Sequence, residues 1–384
     1  MIAKSKTLQF QKVLKEKEID VALVFYYVDL LYFAGTIHGN VYVIPAEGIP
    51  KLFTRRASNR AVREIEYGEV IDFKSFKEIR DHFNFKNIGL VLENIPARNY
   101  IKVLQDLGLS SENVVDITDI YLDFRAVKEH EEIERIKKAG DITTNVYRKI
   151  KDIVKPGMKE FELAARLEEL YRLEGHIGEN RFRGYNQIGL LTYVLTGESI
   201  LTPSVHATPY GGNGVSKYIG IGASDRKIEK GIPFVVDTVA NYEGYHNDTT
   251  RTFVIDEPKK EVIAAFGALK NIYDYIIEIG KDITCEDLYL NVLKRVDELG
   301  YSNNFMGIGN NRVPFLGHGI GIYVDEYPVL AKGFKTKLVK GMTIAIEPKI
   351  FIEGIGGVGL ETTFEVTENT LKPLTGLEPE LFVI

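Results

Sequence analysis

The chain has one cysteine, Cys285, and no tryptophan in 384 residues. A single thiol excludes an intrachain disulfide and a cysteine-ligated zinc site. Its surroundings, "DITCEDLYL", read as the start of an amphipathic helix, so the thiol is expected to be packed rather than nucleophilic. No apolar run is long enough to span a bilayer, and the opening "MIAKSKTLQFQKVLKEKEID" lacks the apolar stretch of a signal peptide. A cytoplasmic protein with no membrane partner is therefore expected. Positive charge is also short: the net charge is -6, with acidic and basic residues interspersed, which excludes the electrostatic footprint of a nucleic-acid partner. The glycine-rich run "TPYGGNGVSKYIGIGASD", residues 208–225, lacks the Lys-Ser/Thr ending of a phosphate-cradling loop and is expected to line a pocket instead.

What is there is enough chain for two cores. In the first third, the compact apolar runs "DVALVFYY" and "NIGLVLEN" read as buried strands, and "SFKEIRDHF" and "ARNYIKVLQDLG" carry helical spacing. Residues 1–124 are thus expected to form a smaller α/β domain. Beyond Phe124, "RAVKEHEEIERIKKAGDITTNVYRKIKDIV" predicts one long helix, stopped by Pro156-Gly157, and "MKEFELAARLEELYRLEG" predicts a second. Strands joined by glycine turns follow, so residues 125–384 are expected to form an α+β domain.

Two stretches of this second part carry carboxylates where strands would bury them. "PFVVDTVANYEGYHNDTTRTFVI" alternates on both sides of Tyr242-Glu243-Gly244, predicting a hairpin with Asp237 and Asp248 roughly opposite each other on one face. "MTIAIEPKIFIEGIGGVGLETTFEV" folds about Glu353-Gly354-Ile355, which sets Glu347 against Glu361. Read singly, each acid is a surface carboxylate or half of an ion pair. Read together, four acids in apolar strands repel one another unless cations lie between them. Two divalent ions about 3.5–4 Å apart are the known solution in two-metal hydrolases. In "GHGIGIYVDEYP", His318 is the expected fifth ligand, with its glycines letting the backbone turn and keeping bulk away from the metal. Oxygen ligands plus one imidazole suit Mn, Co, Zn or Fe.

With "VVDTVANYEGYHNDTTRTF", "GHGIG", "GMTIAIEP" and "GGVGLETTFEVTENTLKPLT", the chain resembles the pita-bread metallopeptidases: aminopeptidase P, prolidase, methionine aminopeptidase and creatinase. The resemblance covers the whole chain. It implies a pita-bread catalytic domain preceded by a creatinase-type N-terminal domain, and a homodimer. It implies a dinuclear peptidase of the Xaa-Pro dipeptidase or aminopeptidase kind, acting on short peptides through a metal-bridging hydroxide. By position, Asp237 would chelate one metal, His318 and Glu347 the other, and Asp248 and Glu361 would bridge. Glu347 would also carry the proton. An amidohydrolase on a creatinase-like amide, or a non-catalytic binding protein, are the alternatives on the same fold.

Three departures touch substrate groups. Asp325-Glu326 stands where prolidases have His-Glu, no histidine occurs in "YIGIGASDRKIEKG", and Gly359 stands where prolidase and aminopeptidase P have an arginine. An added acid and a lost cation predict a more negative pocket, poor on a free peptide carboxylate. Asp325, His206, Arg183 and His38 are the expected substrate contacts, His38 reaching a partner subunit's site across the dimer.

Overall fold

The structure is a computed structural model that describes residues 2–384, and the chain forms two compact units, residues 1–125 and 126–384. The first holds β1 (Val21–Val24), β2 (Val41–Pro45), β3 (Lys51–Thr54), β4 (Glu69–Asp72), β5 (Ile88–Leu90) and β6 (Val114–Asp116) in one sheet, ordered β4-β3-β2-β1-β5-β6. The sheet is mixed: β1, β2 and β3 pair antiparallel, while β4, β5 and β6 add parallel to their neighbours. Its inward residues, among them Leu23, Val43, Phe53 and Ile88, pack on Val103, Leu104 and Leu107 of the helix Ala97–Leu107.

In the second unit the expected single long helix is interrupted. It runs His130–Tyr147, followed by one turn at Ile150–Ile153, well before Pro156. At the break the Lys149 N–H turns to the Val146 carbonyl at 3.0 Å, a tighter three-residue step. The helix Glu160–Leu173 follows as expected. Cys285 opens the helix Cys285–Glu298, which Thr284 caps through the backbone N–H of Asp287; burial raises the thiol to about 12, so it is inert. No helix among the described residues is long and apolar enough to cross a membrane.

Strands β7 (Thr192–Thr196), β8 (Pro233–Tyr242) and β9 (Tyr245–Val254) form a sheet that β17 (Phe382–Val383) edges. A second sheet is ordered β11-β10-β12-β15-β16, from β10 (Phe315–Gly319), β11 (Glu326–Ala331), β12 (Thr343–Ile346), β15 (Thr362–Val366) and β16 (Leu371–Pro373). β13 (Lys349–Ile352) and β14 (Gly356–Gly359) form a ribbon of their own.

The first carboxylate hairpin departs from the expected register. Its turn has two residues, Glu243 at φ 48° and Gly244 at φ 91°, so Tyr242 pairs with Tyr245. Two successive positive φ values close a two-residue turn with the natural strand twist. Asp237 therefore pairs with Thr250, and Asp248 with Val239. The two acids are diagonal rather than opposite, and the even offset keeps them on one face. The second hairpin keeps its expected midpoint. Ile346 pairs with Thr362 in one ladder and Lys349 with Gly359 in the next, both centred on Gly354. Glu347 and Glu361 face each other where the chain crosses between ladders.

Candidate metal centre

Each acid leaves the backbone at a place where the fold aims it inward. Asp237 and Asp248 project from β8 and β9, and Glu347 and Glu361 from the crossing beside β12 and β15. His318 lies on β10, paired to Ala345 on one side and Val329 on the other, with register shifts on both flanks. The flanking glycines have a different task from the expected one. A Cβ at Gly317 would stand 2.1 Å from the Ala345 carbonyl oxygen, and one at Gly319 2.1 Å from that of Tyr327. They are required by close strand approach rather than by room around an ion. The His318 ring directs Nδ1 at the Gly319 carbonyl, 3.0 Å away, and Nε2 towards Glu347 Oε1 at 3.7 Å. With Nδ1–H donating to that carbonyl, Nε2 keeps its lone pair for a ligand.

Asp248, His318 and Glu361 each offer an atom within 4.8 Å of the others. Oδ1 of Asp248 is buried without a hydrogen-bond partner among the described residues. An unsatisfied buried carboxylate oxygen facing an imidazole and a second carboxylate is a donor set that fits a divalent cation. Burial pushes Asp248 well above its ordinary range, and the charges of Glu361, Asp237 and Glu347 push it further. Asp237 rises to about 7, through burial first, with Lys349 opposing and Glu361 and Glu347 adding. Glu347 is likewise raised by burial, against the pull of Lys349.

Lys349 is the residue that the sequence reading missed. Its ammonium is buried among the acids, 2.5 Å from Glu347 Oε2, 3.2 Å from Glu361 Oε2 and 3.6 Å from Asp237 Oδ2. It also lies 5.0 Å over the ring of Tyr210. Burial opposes its charge, but those three carboxylates more than compensate and hold it protonated. The available signal was a charged residue inside the apolar run "IAIEPKIFI", two positions after a carboxylate already singled out.

The acids open onto a cavity of about 240 Å³ whose wall includes Phe182, Ile188, Leu191, Tyr193 and Val324. Arg183, His206 and Asp325 also line it, and of the glycine-rich run only Thr208 does. Asp325 does not present a bare charge there. Its Oδ1 accepts from the Arg183 N–H at 2.6 Å and its Oδ2 from the Gly184 N–H at 3.1 Å. The Arg183 guanidinium lies 5.5 Å over the Tyr327 ring. Backbone donors thus engage the added acid, and the cavity lining sets six carboxylates, Asp237, Asp248, Asp325, Glu326, Glu347 and Glu361, against the one guanidinium of Arg183. Glu326 is tied to Lys128 at 2.9 Å, both side chains buried. His246 shares the face of Asp248 yet serves the backbone, accepting from Arg181 N–H at 3.2 Å and donating to the Gly321 carbonyl at 3.0 Å. His38 belongs to the first unit, with Nε2 3.7 Å from Glu64, and is not among the cavity residues.

The family model for metallopeptidase family M24 matches residues 134–368, and that of the creatinase/prolidase N-terminal domain matches residues 7–127. The chain is 28% identical over 387 residues to an Xaa-Pro dipeptidase of Pyrococcus furiosus, covering 96% of this chain and 97% of the relative. It is 30% identical to the Xaa-Pro dipeptidase of Pyrococcus horikoshii, over 89% of this chain and 92% of that one. Among solved structures, X-Pro aminopeptidase from Thermotoga maritima superposes with a TM-score of 0.80 at 26% identity, covering 98% of this chain and 99% of that one.

Proposed function

The chain belongs to metallopeptidase family M24 and is a metal-dependent peptidase, and from that premise we propose that it cleaves short peptides with proline in second position. The observation that carries this reading is the convergence of Asp248, His318 and Glu361 at the floor of a cavity with apolar walls. Asp237, Asp248, His318, Glu347 and Glu361 form the centre, and the open ligand atoms among them would hold divalent metal, which when bound polarises a peptide carbonyl and activates water at neutral pH.

The chain's own groups supply the rest. Phe182, Ile188, Leu191 and Val324 offer the apolar surface that a proline ring buries well, at roughly 25 cal/mol for each Å² removed from water. Arg183 and His206 stand at the same wall and are placed to take a peptide carboxylate. Glu347, buried and with its carboxyl raised, can accept a proton from water and deliver it to the departing amine. Lys349 keeps one Glu347 oxygen occupied, which leaves Oε1, on the His318 side, as the working atom.

The test is hydrolysis of an Xaa-Pro dipeptide panel by purified protein before and after chelation. Activity that is lost with chelator, returns with Mn or Co, and is confined to proline in second position supports the reading. Cleavage of other dipeptides at equal rates, or of non-peptide amides only, refutes it.

A further inference from the structure

We propose that the centre takes one divalent ion per chain, because the Lys349 ammonium permanently fills the place of a second. This inference rests on the metal reading above and adds to it a fixed internal cation.

Lys349 is the first residue of β13 and only 1% of its side chain is exposed. Its Nζ donates to Glu347 Oε2 and Glu361 Oε2, and Asp237 Oδ2 completes the surround. A divalent ion bonds carboxylate oxygens at about 2.0–2.2 Å. An ion bonded to these same three oxygens would need the volume that the ammonium already occupies. It would also meet a like charge within contact distance, in a buried site where repulsion is weakly screened.

The displaced ion is the one on the Asp237 side. On the other side the ligand atoms remain open. Asp248 Oδ1 has no hydrogen-bond partner among the described residues, and Nε2 of His318 faces Glu347 Oε1. Glu361 divides its oxygens in the same sense. Its Oε2 is committed to Lys349 and to the Thr250 hydroxyl at 2.7 Å, leaving Oε1 for a metal.

The lysine is built in rather than incidental. It pairs directly with Gly359 across the β13–β14 ribbon. A Cβ at Gly359 would come within 3.2 Å of Lys349 Cγ and 2.4 Å of the Tyr210 hydroxyl. The Lys349 stem would have to give by only a few tenths of an ångström, whereas the Tyr210 hydroxyl stands directly in the way of a side chain at 359. The glycine that stands where the family has an arginine leaves room for the Lys349 stem and for Tyr210, whose ring the ammonium overlies at 5.0 Å.

The experiment measures metal per chain on full-length protein stripped with chelator, saturated with Mn and freed of unbound ion. Wild type is expected to hold one Mn per chain, with the six-line paramagnetic resonance signal of an isolated ion. Lys349→Ala and Lys349→Gly, which open the position, are expected to hold two, with the exchange-coupled signal of a close pair. Two ions in wild type overturn the proposal while leaving the metal reading intact. One ion in both variants also overturns it, since something other than Lys349 then limits the count. No tightly held metal in any of the proteins overturns the metal reading itself. Should both variants fail to fold, the wild-type count and resonance signal still decide.

Discussion

Asp325 gives the sharpest test of how the cavity wall is held. Its two oxygens accept the Arg183 and Gly184 backbone N–H groups at 2.6 and 3.1 Å, and Arg183 Nε donates to the Asp325 carbonyl at 3.4 Å. Upstream, the segment is fixed by the Arg181 N–H on His246 and by the Val324 N–H on the Arg181 carbonyl. Opening is therefore confined to the stretch just after Arg181. Hydrogen bonds to a charged acceptor contribute about 1.5–3 kcal/mol each. Asp325 is only half-buried, so water recovers part of that, and a total near 2 kcal/mol is the reasonable figure. Asp325→Ala should then raise the open population roughly 30-fold, since about 1.4 kcal/mol is a factor of ten. Dilute trypsin reads this directly: cleavage after Arg183 should accelerate about 30-fold, with Asp325→Asn intermediate because it keeps one acceptor oxygen. KM for an Xaa-Pro dipeptide should rise several-fold while kcat changes little, because the segment forms wall rather than chemistry. A nicking rate within twofold of wild type would refute the reasoning.

Three further outcomes follow from the same groups. Glu347→Gln in metal-replete protein should lower kcat by about 10²–10⁴, and full activity in that variant would remove Glu347 as proton carrier. Lys128→Met strands the Glu326 charge in a buried site and should cost about 3–5 kcal/mol, read by calorimetry, whereas the double variant Lys128→Met/Glu326→Met should recover most of it; equal losses in both would show that the pair is not coupled. Asp237 has a folded pKa near 7, above the unfolded carboxylate value, so its contribution in stripped protein is full below about pH 4 and is lost as pH rises to 7. The Tm of stripped wild type should accordingly fall between pH 5 and pH 8 by more than that of Asp237→Asn, and equal pH slopes in the two proteins would contradict a raised Asp237.

How much of this was legible in the sequence depended on whether local rules decided it. The second hairpin was readable to the residue, because one midpoint, Gly354, governs both ladders and sets Glu347 against Glu361. The first was readable as a hairpin but off in register, because "NYEGY" is compatible with a two-residue or a three-residue turn. Only the backbone, with Glu243 and Gly244 both at positive φ, settles which. The role of Asp325 was hidden for another reason. Whether an acid in a loop faces substrate or folds back on backbone N–H groups is decided by residues 142 and 141 positions away, Arg183 and Gly184. No pattern in the sequence carries that information.

Lys349 and Gly359 show why two departures from a family pattern must be read as a pair. Taken alone, glycine at 359 is a lost cation beside an acid of the centre, and it predicts a more negative pocket. The structure places those two residues in direct register, with the lysine stem 3.2 Å from where a Cβ at 359 would stand. A positive charge is absent at 359 and present at 349, on the facing strand and among the acids. That arrangement makes a checkable demand on the double variant Lys349→Gly/Gly359→Arg. If the two positions act as one unit, it should bind two Mn per chain and bind dipeptide more tightly than Gly359→Arg alone, in which the arginine and Lys349 compete for one volume. A double variant no better than the single would mean that the two sites do not interact.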